Sequence, residues 1–238
     1  MAEVTLGREA DGAVARESSR DMAREADGAV AREGNGGVAG RRDNEFEGLF
    51  GLVAGWSMSF GRGPSTRLLA DLAGVRAGER VVDVGCGPGL LLKEAARRGA
   101  TAVGVDPSSR MRRLALRRIP ADLRSAVTVV DGTAEHLPLE DGSATVAWAV
   151  GSFHHWNDPD AGLAEVCRVL APGGRLLVAE RLADPRGWVR HHALTWTAAE
   201  DLAGRAERAG CAQVTVARHP LGRRQLVVVA GRRRPDAA

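Results

Sequence analysis

Two hydrophobic periods run along this chain. Phe46, Leu49, Phe50, Leu52, Val53 and Trp56 recur at helical spacing with aromatic weight. Gly61-Arg-Gly-Pro64 interrupts them, and Ser65 is placed to cap a second helix running to about Ala73. Short apolar runs then alternate with amphipathic ones. Strands are predicted at 81–84, 102–105, 127–130, 144–150 and 175–180. Helices are predicted at 90–98, 111–118 and 161–170, the last carrying Leu163, Val166, Val169 and Leu170 on one side. Between 130 and 144 the pattern is irregular and rich in turn residues. Pro172-Gly173-Gly174 reads as the turn into the fifth strand, and Thr197-x-x-Glu200 as a capping box opening a helix to about Ala209. Two more runs, 212–217 and 225–230, follow with only a loop around Pro220-Leu-Gly222 between them, so they form a hairpin.

Strand–helix alternation predicts an α/β fold with a mostly parallel sheet covered on both faces, because right-handed crossovers place helices between neighbouring strands. The closing hairpin adds an antiparallel edge. Ahead of this, Arg8 to Glu17 recurs as Arg24 to Glu33 with few large apolar side chains. The expected organisation is therefore a disordered or loosely helical repeat tail over 1–42, a helical cap over 43–78, and the alternating domain over 79–238.

Composition changes this picture little. The chain has 238 residues, 44% hydrophobic and 26% charged, enough for one domain with a sizeable core. No apolar run is long enough to span a membrane, and the N-terminus lacks the pattern of a secretory leader. The pI of 9.2 suggests nucleic acid, but 33 basic residues face 30 acidic ones, and Lys93 is the single lysine. A net charge of +3 is a weak field, so nucleic-acid binding is not expected. Cys86, Cys167 and Cys211 are widely spaced, with no C-x-x-C, and fit neither a disulfide framework nor a zinc site. A reducing cytosol is the expected compartment.

The chemistry concentrates in Val81-Val-Asp-Val-Gly-Cys-Gly-Pro-Gly89. A buried strand runs into glycines at alternate positions and then into a helix. Glycine is needed where φ is positive or where a ligand must approach main-chain atoms. The spacing is G-x-G-x-G rather than the dinucleotide G-x-G-x-x-G, and Asp83 precedes the first glycine. A carboxylate there repels a pyrophosphate and suits an ammonium or sulfonium group. Asp106 ends the second strand, where it can accept ribose hydroxyls, and Asp131 ends the third, where it can accept from an adenine amino group. Three acids at successive strand ends describe a nucleoside-like ligand that need not carry phosphates.

At this point the sequence resembles the class I S-adenosylmethionine-dependent methyltransferases, in particular the ubiquinone/menaquinone-biosynthesis-like branch acting on small molecules. Val82-Asp-Val-Gly-Cys-Gly-Pro-Gly89, Gly104-Val-Asp-Pro-Ser108, Asp131-Gly-Thr-Ala-Glu135 and Ser152-Phe-His-His-Trp156 carry the likeness, with 163–177 matching a later motif. The resemblance spans about residues 45–231. It implies a Rossmann-like doubly wound sheet of seven strands in the order 3-2-1-4-5-7-6, and S-adenosylmethionine as cofactor. It also implies a cofactor site built from Asp83, Gly85, Cys86, Gly87, Asp106, Pro107, Met111, Asp131, Gly132, Thr133, Ala134, Val150 and Gly151.

The acceptor is expected beside the fourth strand. His154 and His155 are the base candidates, with a second reading in which one histidine buttresses the loop and the other contacts backbone. Trp56, Phe60, Phe153, Trp156 and His191 are candidates to line an acceptor cavity, with roofing of the domain as the plainer alternative. Trp188, His192 and Trp196 join this group. The interval from Leu182 to Trp196 is short for a helical lid of the kind common in that branch. No metal is expected. The reading is a cytosolic enzyme, monomer or homodimer, methylating oxygen, nitrogen or carbon of a small molecule. Its rivals are a catalytically inactive binder of the same cofactor and, disfavoured by the glycine spacing, an NAD-dependent oxidoreductase.

Overall fold

The structure, a computed structural model, describes residues 63–183, 193–222 and 224–236. The repeat tail and most of the cap expected from the sequence lie outside these residues, as do Trp56, Phe60, Trp188, His191 and His192. What is described is an α/β unit around one sheet. Its elements in chain order are α1 (Gly63–Leu72), β1 (Arg80–Val84), α2 (Leu90–Arg97), β2 (Thr101–Val105), α3 (Ser109–Arg118), β3 (Val127–Val130), β4 (Ala144–Val150), α4 (Pro159–Val169), β5 (Leu170–Arg181), α5 (Trp196–Arg208), β6 (Cys211–Leu221) and β7 (Arg224–Arg233).

The seven strands lie in the order β3-β2-β1-β4-β5-β7-β6, as the resemblance implies. The first five are parallel, while β7 pairs antiparallel with both β5 and β6. Apolar strands buried on both sides need cover on both sides. One core layer holds Leu69 of α1 and Leu91 and Leu92 of α2 against Val81, Val146 and Trp148. The opposite layer packs Leu163 and Val166 of α4 and Leu202 of α5 against Val82, Ala147 and Val178.

Several boundaries differ from the sequence expectation. Helix α1 begins at Gly63, so Ser65 sits inside it rather than capping it. Thr195, not Thr197, caps α5: its backbone is extended and its hydroxyl accepts from Ala198 N at 3.1 Å. Glu200, expected to complete a capping box, instead accepts from the Trp196 indole at 2.7 Å. Pro172-Gly173-Gly174 lies within β5, at a break in pairing where five residues of β5 advance against two of β4. Pro220 and Leu221 belong to β6, which is tolerable because an edge strand leaves N–H groups unpaired.

Candidate functional site

The carboxyl ends of β1, β2 and β4 meet at one edge of the sheet, where crevices form in open α/β folds. The loop after β1 is fastened to β2 by two backbone bonds: Gly85 N and Cys86 N both donate to Val105 O, at 2.8 and 3.1 Å. Gly85 and Gly87 have φ of +72° and +50°, the left-handed region that side chains avoid. Their surroundings differ. A Cβ on Gly85 would stand 2.5 Å from Ser152 Cβ, whereas one on Gly87 would meet nothing within 4 Å among the described residues. Gly85 is required by packing, and Gly87 leaves bare main chain beside open space. Gly89 caps α2, and a Cβ there would lie 2.9 Å from Ala115 Cβ, so it lets α2 and α3 approach closely. A small pocket beside the loop is lined by Thr66, Leu69, Asp83, Gly85, Cys86 and Val150.

Two of the three expected acids come together. Asp83, in register with Trp148 of β4, is 3% exposed. Burial pushes its carboxyl up to about 8, the charge of Asp106 adds to this, and the Trp148 indole pulls the other way. That indole makes no hydrogen bond of good geometry: Nε1 is buried without a partner. Asp106 is also buried, and desolvation raises its pKa although two backbone N–H groups work against this. Gly87 N donates to Asp106 Oδ2 at 2.8 Å and Ser108 N to Oδ1 at 2.9 Å. One carboxylate therefore shapes both the glycine loop and the start of α3. Asp131 stands apart at the rim, its side chain 72% exposed. Arg112 ties it in, donating to Asp131 Oδ1 at 2.8 Å and to Asp106 O at 2.7 Å.

The other expected cofactor residues follow the same edge. Met111, Ala134 and Val150 are buried and Pro107 is exposed. Gly132 is held bare by packing, since a Cβ would lie 2.8 Å from Val105. Thr133 is half-buried, and Gly151 N donates to Ala179 O at 2.8 Å, fixing the end of β4.

Beyond β4 the chain makes a single helical turn, Phe153–His155. Ser152 Oγ donates to Val84 O at 2.6 Å and so anchors this turn to the strand bearing Asp83. Within it, His154 Nδ1 lies 3.1 and 3.2 Å from the two oxygens of Glu180, a carboxylate 1% exposed at the end of β5. The His155 ring centroid is 3.9 Å from that of His154, and His155 is exposed. Phe153 and Trp156 pack together at 5.1 Å, and Trp156 lies over Gly162 of α4. Trp156 thus braces the loop against a helix. Glu135 Oε1 accepts from Asn157 N and Asp158 N, linking this loop to the segment after β3.

Sequence reasoning missed four participants: Glu180, Arg112, Trp148 and the hydroxyl of Ser152. Only Glu180 left a signal, a lone acid closing the apolar run Leu176-Leu-Val-Ala-Glu180.

A family profile described as a methyltransferase domain matches residues 82–178, from β1 through most of β5. Residues 82–178 are a methyltransferase domain. Among curated relatives, a methyltransferase of Mycobacterium tuberculosis is 43% identical over 115 residues, covering 48% of this chain and 45% of that one. A demethylmenaquinone methyltransferase of Thermobifida fusca is 36% identical over 141 residues, covering 54% and 58%. The chain thus spans about half the length of the curated relatives it matches. Among solved structures, a Haemonchus contortus phosphoethanolamine N-methyltransferase bound to S-adenosylhomocysteine superposes with a TM-score of 0.64. It is 17% identical, over 74% of this chain and 54% of that one, a likeness of fold. The methyltransferase domain contains every cofactor residue expected from the sequence and both histidines of the β4 loop.

Proposed function

We propose that this protein transfers a methyl group from S-adenosylmethionine to oxygen, nitrogen or carbon of a small-molecule acceptor. The observation that carries this reading is the pairing of buried acids with bare main chain at Gly87. A pyrophosphate meets two buried carboxylates there, and the guanidinium beside them, Arg112, is already taken up by Asp131 and Asp106 O, whereas a cationic, phosphate-free nucleoside finds counter-charge and room. The residues present therefore fit S-adenosylmethionine better than NAD.

In this reading Asp83 faces the ammonium of the methionine moiety and Gly85 and Gly87 let it lie against the chain. Asp106 accepts from the ribose hydroxyls with lone pairs not used by Gly87 and Ser108. Met111 and Ala134 flank the adenine, and Asp131, with Gly132 and Thr133, meets its edge. Val150 and Gly151 border the reacting methyl. The bound cofactor supplies a methyl carried on a sulfonium, which departs by in-line displacement. The protein's own work is alignment and exclusion of water, which raise the rate without covalent chemistry. For an acceptor that begins as a hydroxyl or protonated amine, His154 takes the proton, steadied by Glu180. Phe153 flanks the acceptor. The three free thiols of the described residues accord with a reducing cytosol.

Calorimetry with S-adenosylhomocysteine and NAD on the full chain tests the cofactor, and S-adenosylhomocysteine production from a metabolite mixture tests turnover. Binding of the first ligand with turnover is expected. Binding without turnover would favour an inactive binder, and binding of NAD alone would overturn the reading.

A further inference from the structure

We propose that Cys167 and Cys211 are an oxidisable pair, converted by an oxidant of the hydroperoxide class to a disulfide that ties the last turn of α4 to the first residue of β6. Forty-four residues apart in sequence, their sulfurs lie 3.4 Å apart, one accepting from the other. A disulfide needs about 2.05 Å, so the two must close by roughly 1.4 Å.

The surroundings hold this approach in place. Arg233 of β7 is the register partner of Cys211, and its guanidinium donates to Arg168 O and Leu170 O, where α4 passes into β5. Arg234 N donates to Gly210 O at 2.9 Å. Both chain segments that carry the thiols are therefore fastened to the end of β7. The edge position of β6 leaves it room to give by the remaining distance, since among the described residues no strand pairs on its outer side.

Chemistry assigns the order of events. Cys167 is 6% exposed and Cys211 fully buried, so Cys167 meets the oxidant first. The hydrogen bond from Cys211 favours the Cys167 thiolate, as do the charges of Arg233 and Arg234. Cys211 is correspondingly pushed up as the donor. The Cys167 thiolate attacks the peroxide O–O bond, giving Cys167 sulfenic acid and, after protonation, one water. Cys211 sulfur then displaces the sulfenic oxygen, which leaves as a second water with the Cys211 proton. Two thiols and one hydrogen peroxide become one disulfide and two waters. Cys86 takes no part: burial and the charges of Asp83 and Asp106 raise its thiol, and its Sγ lies against Gly87 O while the other two cysteines face each other.

This inference is independent of the cofactor reading, because neither cysteine lies in that site. The test treats reduced, folded full-length protein with limiting hydrogen peroxide, followed by intact and peptide mass spectrometry without reductant. Expected is a loss of two hydrogens, a cross-linked 167–211 peptide, and full reversal by dithiothreitol. Cys211→Ser should abolish the loss of two hydrogens and add oxygen at Cys167 instead. Cys167→Ser should abolish it without oxidising Cys211. Three titratable thiols surviving the treatment, oxygen addition at Cys167 of the unaltered chain without cross-linking, or a disulfide through Cys86 would each overturn the proposal.

Discussion

His154 presents Nδ1 to both oxygens of Glu180 at 3.1 and 3.2 Å, while the adjacent His155 is exposed. An ionised Glu180 only accepts, so in that pairing His154 donates through Nδ1. A buried acid thus fixes the orientation of one histidine of the pair. The two neighbours are unequal, and in the proposed reaction His154 is the one assigned to take a proton.

His154→Gln should lower kcat by about 10²–10⁴ for an acceptor that begins as a hydroxyl, the usual contribution of a general base. Cofactor affinity should hold. Glu180→Gln, as a positioning change, should lower kcat less and alter the pH profile rather than KM for the cofactor. His155→Gln should stay within a few-fold of the unaltered chain. Steady-state kinetics across pH checks all three; a loss carried by His155 alone would reverse the assignment.

Gly85 and Gly87 should respond differently to alanine. Gly85→Ala places a Cβ 2.5 Å from Ser152 Cβ, next to the hydroxyl that anchors the histidine turn, and should lower Tm sharply. Gly87→Ala meets open space and bears only left-handed strain, about 1–2 kcal/mol. Its larger effect should be on ligand affinity, because the new methyl fills space at the bare main chain. Thermal melts with and without S-adenosylhomocysteine separate the two.

The seven strands were legible because each apolar run is bounded by turn residues, whereas their order came from the family resemblance and not from the pattern itself. Boundaries failed where local chemistry had two solutions. The Thr197-x-x-Glu200 spacing reads as a capping box, yet the extended backbone and the accepting hydroxyl belong to Thr195. In the site, the glycine loop and Asp83 announced themselves within one stretch, and Asp106 and Asp131 by closing the next two strands. Glu180, Arg112 and Trp148 did not, since each acts on a residue brought near by the sheet rather than by the chain. The Cys167–Cys211 contact was hidden for the same reason. Spacing alone argued against any pairing, while folding sets those sulfurs 3.4 Å apart.

Asp106→Ala removes the acceptor that Gly87 N and Ser108 N share, together with any ribose contact. Affinity for S-adenosylhomocysteine should fall by about 1–3 kcal/mol, roughly 5- to 150-fold in Kd. Arg112→Met frees Asp131 without touching the Asp106 carboxylate and should cost less. Calorimetry on both variants tests this ranking, and equal losses would contradict it.

Asp83 should make both stability and binding depend on pH. Its ordinary value of 3.8 is raised by burial to about 8, and Asp106 is shifted in the same direction. Between about pH 4 and pH 8 the native, ligand-free protein keeps a proton that the unfolded chain has lost. Stability must then fall as pH rises through that window and level off above it. The two acids titrate as a coupled pair, so Asp83→Asn should flatten most of this slope rather than all of it. A cationic ligand binds the ionised carboxylate, so at pH 7 complex formation has to expel the proton. Calorimetric titration with S-adenosylhomocysteine in buffers of different ionisation enthalpy should show release approaching one proton, lost in Asp83→Asn. Buffer-independent heats in the unaltered protein at pH 7 would mean that Asp83 does not face the ammonium, and the ligand's methionine end would have to lie elsewhere along the glycine loop.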